Sequence, residues 1–117
     1  MTPHSAKAKG RRLQQMIRDK LIKLAEPHLT LDDVRSVSMG KQGEDVQLSP
    51  KARDFFPIQI ECKNKEKYTS FYKDYKQAGE HGKHEPVLII KQNGDKPLAV
   101  VDADYLLELV YYRSQNW

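Results

Sequence analysis

Two short pieces decide how the chain is read: Gly43-Glu44-Asp45-Val46 and, after a brief excursion, Pro57-Ile58-Gln59-Ile60-Glu61-Cys62-Lys63. In the second piece Ile58, Ile60 and Cys62 alternate with Gln59, Glu61 and Lys63. That period of two belongs to a half-buried β-strand, apolar on one face and polar on the other. Glu61 and Lys63 therefore project from the same face. Asp45 stands at the start of an earlier apolar run, Val46 and Leu48, which is expected to pair with this strand. An acid on one strand beside an acid and a lysine on its neighbour makes a compact charged cluster. Hard carboxylate oxygens of this kind hold a divalent cation and leave an ammonium at its side. In outline this is equipment for metal-assisted phosphodiester chemistry.

Length and composition set the frame. The 117 residues suffice for one domain with one core. With 38% hydrophobic and 31% charged residues, a folded, soluble protein is expected. No apolar run, Val87 to Ile90 included, approaches the length that crosses a bilayer. The N-terminus is basic but has no apolar stretch of the secretory type, so a cytoplasmic protein without a membrane partner is expected. The single cysteine, Cys62, excludes an internal disulfide, and its place on an alternating strand assigns it to the core rather than to nucleophilic chemistry.

The net charge of +4 is unevenly spread. Residues 1–25 hold Lys7, Lys9, Arg11, Arg12, Arg18, Lys20 and Lys23 against Asp19 alone, so the rest of the chain is slightly acidic. A basic N-terminal segment suits a polyanion, although solvated basic tails also occur without any ligand.

Residues 1–9 are expected as a flexible basic arm. From Arg11 onward Leu13, Met16, Ile17, Leu21 and Leu24 recur at helical steps, with Pro27 closing an amphipathic helix. Val34 to Ser38 reads as a first strand, ended by Gly40 and the Gly43 turn, and Asp45 to Leu48 as a second. Ser49 to Asp54, with Pro50 and several charges, reads as a loop. The third strand begins at Phe56 or Ile58 and runs to Lys63. Thr69 or Ser70 caps a helix through Ala78 whose apolar face is Phe71, Tyr72, Tyr75 and Ala78. Val87 to Lys91 is a buried strand, Asn93-Gly94 a hairpin turn, and Leu98 to Val101 the returning strand. Asp102 caps a last helix, with Tyr105, Leu106, Leu109 and Val110 facing inward. The order is helix, three strands, helix, two strands, helix.

That order, with Asp45 on the second strand and Glu61-Cys62-Lys63 on the third, resembles the PD-(D/E)XK nuclease superfamily, and within it the small Holliday-junction resolvases and their phage relatives. The resemblance covers residues 10–101. It implies a single α/β domain over residues 10–117 of restriction-endonuclease-like fold, with a central mixed sheet flanked by helices. It also implies a Mg²⁺-dependent DNA endonuclease, with Mn²⁺ able to substitute, working in prokaryotic or phage-infected cytoplasm. Asp45, Glu61 and the Cys62 backbone carbonyl are then the metal ligands, and Lys63 orients or deprotonates the nucleophile or neutralises developing charge. Gln77 matches a glutamine that many relatives direct at the site from the helix after Glu-x-Lys. Gln14 stands where the resolvases carry a glutamate four residues after a glycine, here Gly10, and it brings no charge. Glu44 replaces the family proline and on a strand points away from Asp45. DNA, possibly branched, is the implied partner, met by Lys9, Arg11, Arg12, Arg18, Lys65 and Lys67. Cutting two strands symmetrically implies a homodimer, for which Tyr111, Tyr112 and Trp117 are candidate contacts.

Other readings fit the same residues. Glu61 and Lys63 also read as a surface ion pair with Asp45 in a turn, and Gln14 and Gln77 as helix-surface amides. A site-specific phage or homing-type endonuclease would share the chemistry. A nucleic-acid-binding module on a degenerate nuclease fold, or a protein-interaction domain with a solubilising arm, would not. His81 and His84 lack the further ligands that zinc requires, and Asp102 and Asp104 read as helix-start residues.

Overall fold

Residues 3–37 and 44–116 are described by a computed structural model, in which one five-stranded mixed sheet carries helices packed on it. The elements run α1 (Pro3–Leu24), β1 (Val34–Ser36), β2 (Val46–Leu48), α2 (Pro50–Phe55), β3 (Ile58–Lys65), α3 (Phe71–Gly79), β4 (Glu85–Gln92), β5 (Leu98–Val100) and α4 (Ala103–Gln115). Strand order in the sheet is β1-β2-β3-β4-β5. The pairs β1–β2, β2–β3 and β4–β5 are antiparallel, whereas β3–β4 is parallel. Parallel neighbours need a crossover, which α3 supplies.

The alternation of β3 divides the core into two halves. Ile60 and Cys62 lie on one face and pack with Leu13 and Leu21 of α1, Val34, Val46 and Ala52. The other face carries Gln59, Glu61, Lys63 and Lys65. There Leu88 and Ile90, the register partners of Glu61 and Lys63, form a second cluster with Tyr68, against which Tyr75 of α3 packs. Asn93-Gly94 makes the turn into β5, and Gly94 takes the positive φ of +84° that favours glycine. Asp102 caps α4 by accepting the Tyr105 N–H at 3.1 Å.

Several expectations need correcting. The segment 49–54 is not a loop but contains most of α2. Ser49 Oγ accepts the Ala52 N–H at 3.0 Å, and Pro50 fills the first helical turn, where its missing donor costs nothing. The element order is therefore αββαβαββα. The first helix begins at Pro3, so residues 3–9 of the expected arm are helical, and Lys9 Nζ donates to Asn93 Oδ1 at 3.1 Å. Met16 and Leu24 lie on the exposed side of α1. On α3 Tyr72 is 93% exposed, and Phe71 meets Tyr68 at the margin of the core. The expected inward face of α4 is largely open: Leu106, Leu109 and Val110 are 47–57% exposed, and Tyr105 is half-buried. Helical periodicity identifies an apolar stripe, not what covers it, and α1 and α3 already cover the sheet. The end of the first strand beyond Val37, Gly40, the Gly43 turn and Trp117 lie outside the described residues.

Leu88 of β4 is fully buried in the cluster with Tyr68 and Ile90, so Leu88→Ala should lower stability by about 2–5 kcal/mol in urea unfolding. Ser49→Ala removes the α2 cap and should cost about 1 kcal/mol in the same assay.

Candidate active site

Backbone hydrogen bonds fix Asp45 against β3. Its N–H donates to the Ile60 carbonyl at 3.0 Å, and its Oδ2 accepts the Cys62 N–H at 2.7 Å. In a strand the N–H and C=O of one residue point to the same edge, so the Cys62 carbonyl is directed towards the Asp45 side as well. Glu61, 3% exposed, follows Ile60 and precedes Cys62, the two residues that bind Asp45, so the two acids are close neighbours. Lys63 Nζ lies 3.8 Å from Glu61 Oε1, and His81 Nε2 lies 2.8 Å from Glu61 Oε2.

Burial first, then the hydrogen bond and charge of Asp45, push the Glu61 carboxyl well above the ordinary carboxylate range, and Lys63 offsets this in part. A buried carboxyl beside a second acid favours its protonated form unless a cation lies with it. Burial and the neighbouring acids also raise the Cys62 thiol, which leaves it an unreactive core side chain.

This donor set fits a hard divalent cation. It offers two neighbouring carboxylates, a backbone carbonyl aimed at the Asp45 edge, and a buried Glu61 Oε2 without an aligned hydrogen bond. Among the described residues no group of three His, Cys, Asp or Glu side chains forms a cage for a metal. The pair would therefore depend on water and substrate oxygens to complete the shell, as Mg²⁺ commonly does.

The remaining expected residues are placed variously. Gln14 is buried on α1, where its Oε1 accepts from Ser36 Oγ at 3.0 Å. Ser36 pairs with Val46, the neighbour of Asp45, so Gln14 packs at the end of the sheet that bears the acids. Gln77 is half-buried on α3, and its side chain makes no hydrogen bond to a described residue. Glu44 points away as expected: both its oxygens accept from Arg53 Nη2, at 2.7 and 2.8 Å. Lys65 is drawn into a buried network with Ser70 and Asp74, at 2.6 and 3.2 Å, where Tyr68 also donates to Asp74. Arg11, Arg12 and Lys67 are exposed, and the half-buried Arg18 pairs with Asp19.

The structure adds residues that the sequence did not single out for the site. Lys91 and Asn64 join Lys9, Arg12 and Asn93 around an open groove of about 360 Å³ between α1 and the β4–β5 turn. His81 reaches Glu61 from the loop after α3. Its pairing with His84 drew attention to zinc, but no local signal shows that the loop folds back over β3. Comparison of the chain with known families, curated proteins and solved structures yields no match.

A carboxyl raised above its unfolded value binds its proton more tightly in the folded chain. The stability this gives is complete below the reference value of 4.5 and is lost as pH rises through the elevated one. Glu61→Gln removes the titration. In EDTA the variant should gain on the wild type between pH 5 and pH 8 by on the order of 1–3 kcal/mol, measured by urea unfolding.

Proposed function

We propose that the chain is a Mg²⁺-dependent DNA endonuclease of the PD-(D/E)XK type, resembling the Holliday-junction resolvases. The observation that carries this reading is the seating of Asp45 on the Ile60 and Cys62 backbone at either side of Glu61, with Lys63 3.8 Å from Glu61 on the same face of β3. The parallel β3–β4 pair joined through α3, next to the antiparallel β1–β2–β3 edge, supports it. Asp45, Glu61 and the Cys62 carbonyl would hold Mg²⁺, or Mn²⁺ in its stead. When bound, the cation lowers the pKa of water and offsets negative charge developing on the phosphate. Lys63 sits at the margin of the acid pair, half-buried rather than sealed. From there its ammonium can orient the attacking water, take up its proton or neutralise the phosphate. Arginine, which cannot release a proton, could not do all three.

DNA is the proposed substrate because a cationic groove on the α1 side of the sheet, opposite the Glu61–Lys63 face, gathers Lys9, Arg12 and Lys91 with two asparagine side chains. Lysine and arginine neutralise backbone phosphates, and amides hydrogen-bond to them. Paired incisions in a junction require two such sites and hence two copies of a domain with one. The open apolar surface of α4, with Tyr111 and Tyr112, is compatible with that arrangement. A second reading, a DNA-binding module without catalysis, is favoured by Gln14, which brings no third negative charge to the acids.

A labelled four-way junction and a matched linear duplex should separate these readings in Mg²⁺, Mn²⁺ or EDTA. Asp45→Ala and Lys63→Ala should each reduce metal-dependent cutting by about 10²-fold or more, and EDTA should abolish it. Paired nicks confined to the junction would establish a resolvase preference. Equal cutting of the duplex would indicate a general or site-specific endonuclease, whereas tight binding without cleavage in any metal would leave the binding module.

Groove contacts are testable separately by titrating binding against salt. Replacing both Arg12 and Lys91 by alanine should reduce the slope of log K against log[salt] by about two. The loss should be similar across DNA sequences.

A further inference from the structure

The segment between α3 and β4, residues 80–84, is tied down by a residue from the opposite side of the crossover. Gln59 is 1% exposed and lies on the Glu61 face of β3, two positions before the acid. Its Nε2 donates to the Ala78 carbonyl at 2.7 Å, and its Oε1 accepts the His84 N–H at 3.0 Å. One buried amide thus closes the loop at both ends. Gly82 is packed against that amide so closely that a Cβ there would come within 2.7 Å of Gln59 Oε1. Between these anchors stands His81, its side chain 23% exposed and its Nε2 2.8 Å from Glu61 Oε2. That oxygen is buried and has no aligned hydrogen bond, and a small rotation of either group at this distance brings the N–H onto it.

We infer that His81 is a positioning residue for Glu61, held over the acid by Gln59 and Gly82. Lys63, at 3.8 Å, is beyond hydrogen-bond range of the Glu61 carboxylate, so it cannot fix the rotamer. His81 reaches the other oxygen and orients the carboxylate as it meets Asp45. A surface histidine with no such task would need neither the buried glutamine nor the tight glycine beneath it. The inference rests on the reading of Asp45 and Glu61 as cation ligands and extends it to the group that orients one of them.

The test measures Mn²⁺ binding to the metal-free full-length protein by calorimetry, beside the Mn²⁺ half-saturation and kcat of DNA cleavage. His81→Ala should weaken Mn²⁺ binding by about 10-fold or more, the usual effect of losing an outer partner of a ligand. Its far-UV circular dichroism should match the wild type. His81→Gln, whose amide N–H can reach the same oxygen, should restore binding to within about threefold. Gly82→Ala should weaken binding with the imidazole intact. Wild-type affinity in His81→Ala, while Asp45→Ala fails to bind, would overturn this inference and leave the metal site standing. Equal loss in His81→Ala and His81→Gln would also overturn it, since a donated hydrogen bond would then not matter. Failure of the wild type to bind Mn²⁺ would defeat the cation reading, and this inference with it.

Discussion

The closeness of two carboxyl groups, Asp45 and Glu61, is the constraint on which the rest of the site depends. Like charges in contact within a poorly hydrated corner are unfavourable unless a proton or a cation lies with them. The fold nevertheless enforces the contact. Asp45 is held by backbone groups of Ile60 and Cys62, and Glu61 is carried on a central strand whose register with β4 fixes its height. Neither backbone position can shift without breaking pairing in the sheet. Such enforced proximity stores an electrostatic penalty that a divalent cation would relieve.

The architecture around the pair is arranged in matching halves. The Ile60–Cys62 face of β3 is sealed by α1, which gives the strand its rigidity. The Glu61–Lys63 face is roofed by α3 and by the loop that follows it, which keeps Glu61 dry but leaves Asp45 and Lys63 partly accessible. Glu44 and Asp74 show that other buried acids are treated differently. Glu44 is neutralised by Arg53, while Asp74 receives Lys65, Ser70 and Tyr68, and its hydrogen bonds hold its carboxyl below the usual range. Glu61 has a distant ammonium and an imidazole instead, and burial together with Asp45 pushes its carboxyl upward.

Much of this could be read from the chain because the deciding signals are local. Alternation in Ile58 to Lys63 gave the strand and the common face of Glu61 and Lys63, and Asn93-Gly94 gave the turn into β5. The helix over Pro50–Phe55 was hidden because Pro50 and its charged neighbours look like a loop, although Ser49-Pro50 is also a cap followed by a first-turn proline. Exposure of Tyr72 and of the α4 leucines was illegible for another reason: an apolar residue shows that burial would be favourable, not that a surface is available. His81 depends on a contact between Gln59 and a loop some twenty residues away, which no periodicity encodes. The strand that carries Glu61 and Lys63 was therefore visible, whereas Asp45 falls just before β2 rather than on it, and the residue that steers Glu61 was not legible.

The most direct measurement of the central claim is anomalous diffraction at the manganese edge from crystals of the full chain equilibrated with Mn²⁺. A single strong peak in contact with both the Asp45 and Glu61 carboxylates is expected, lost in Asp45→Ala crystals. A peak elsewhere, or none in crystals of a protein that cuts DNA in Mn²⁺, would contradict it.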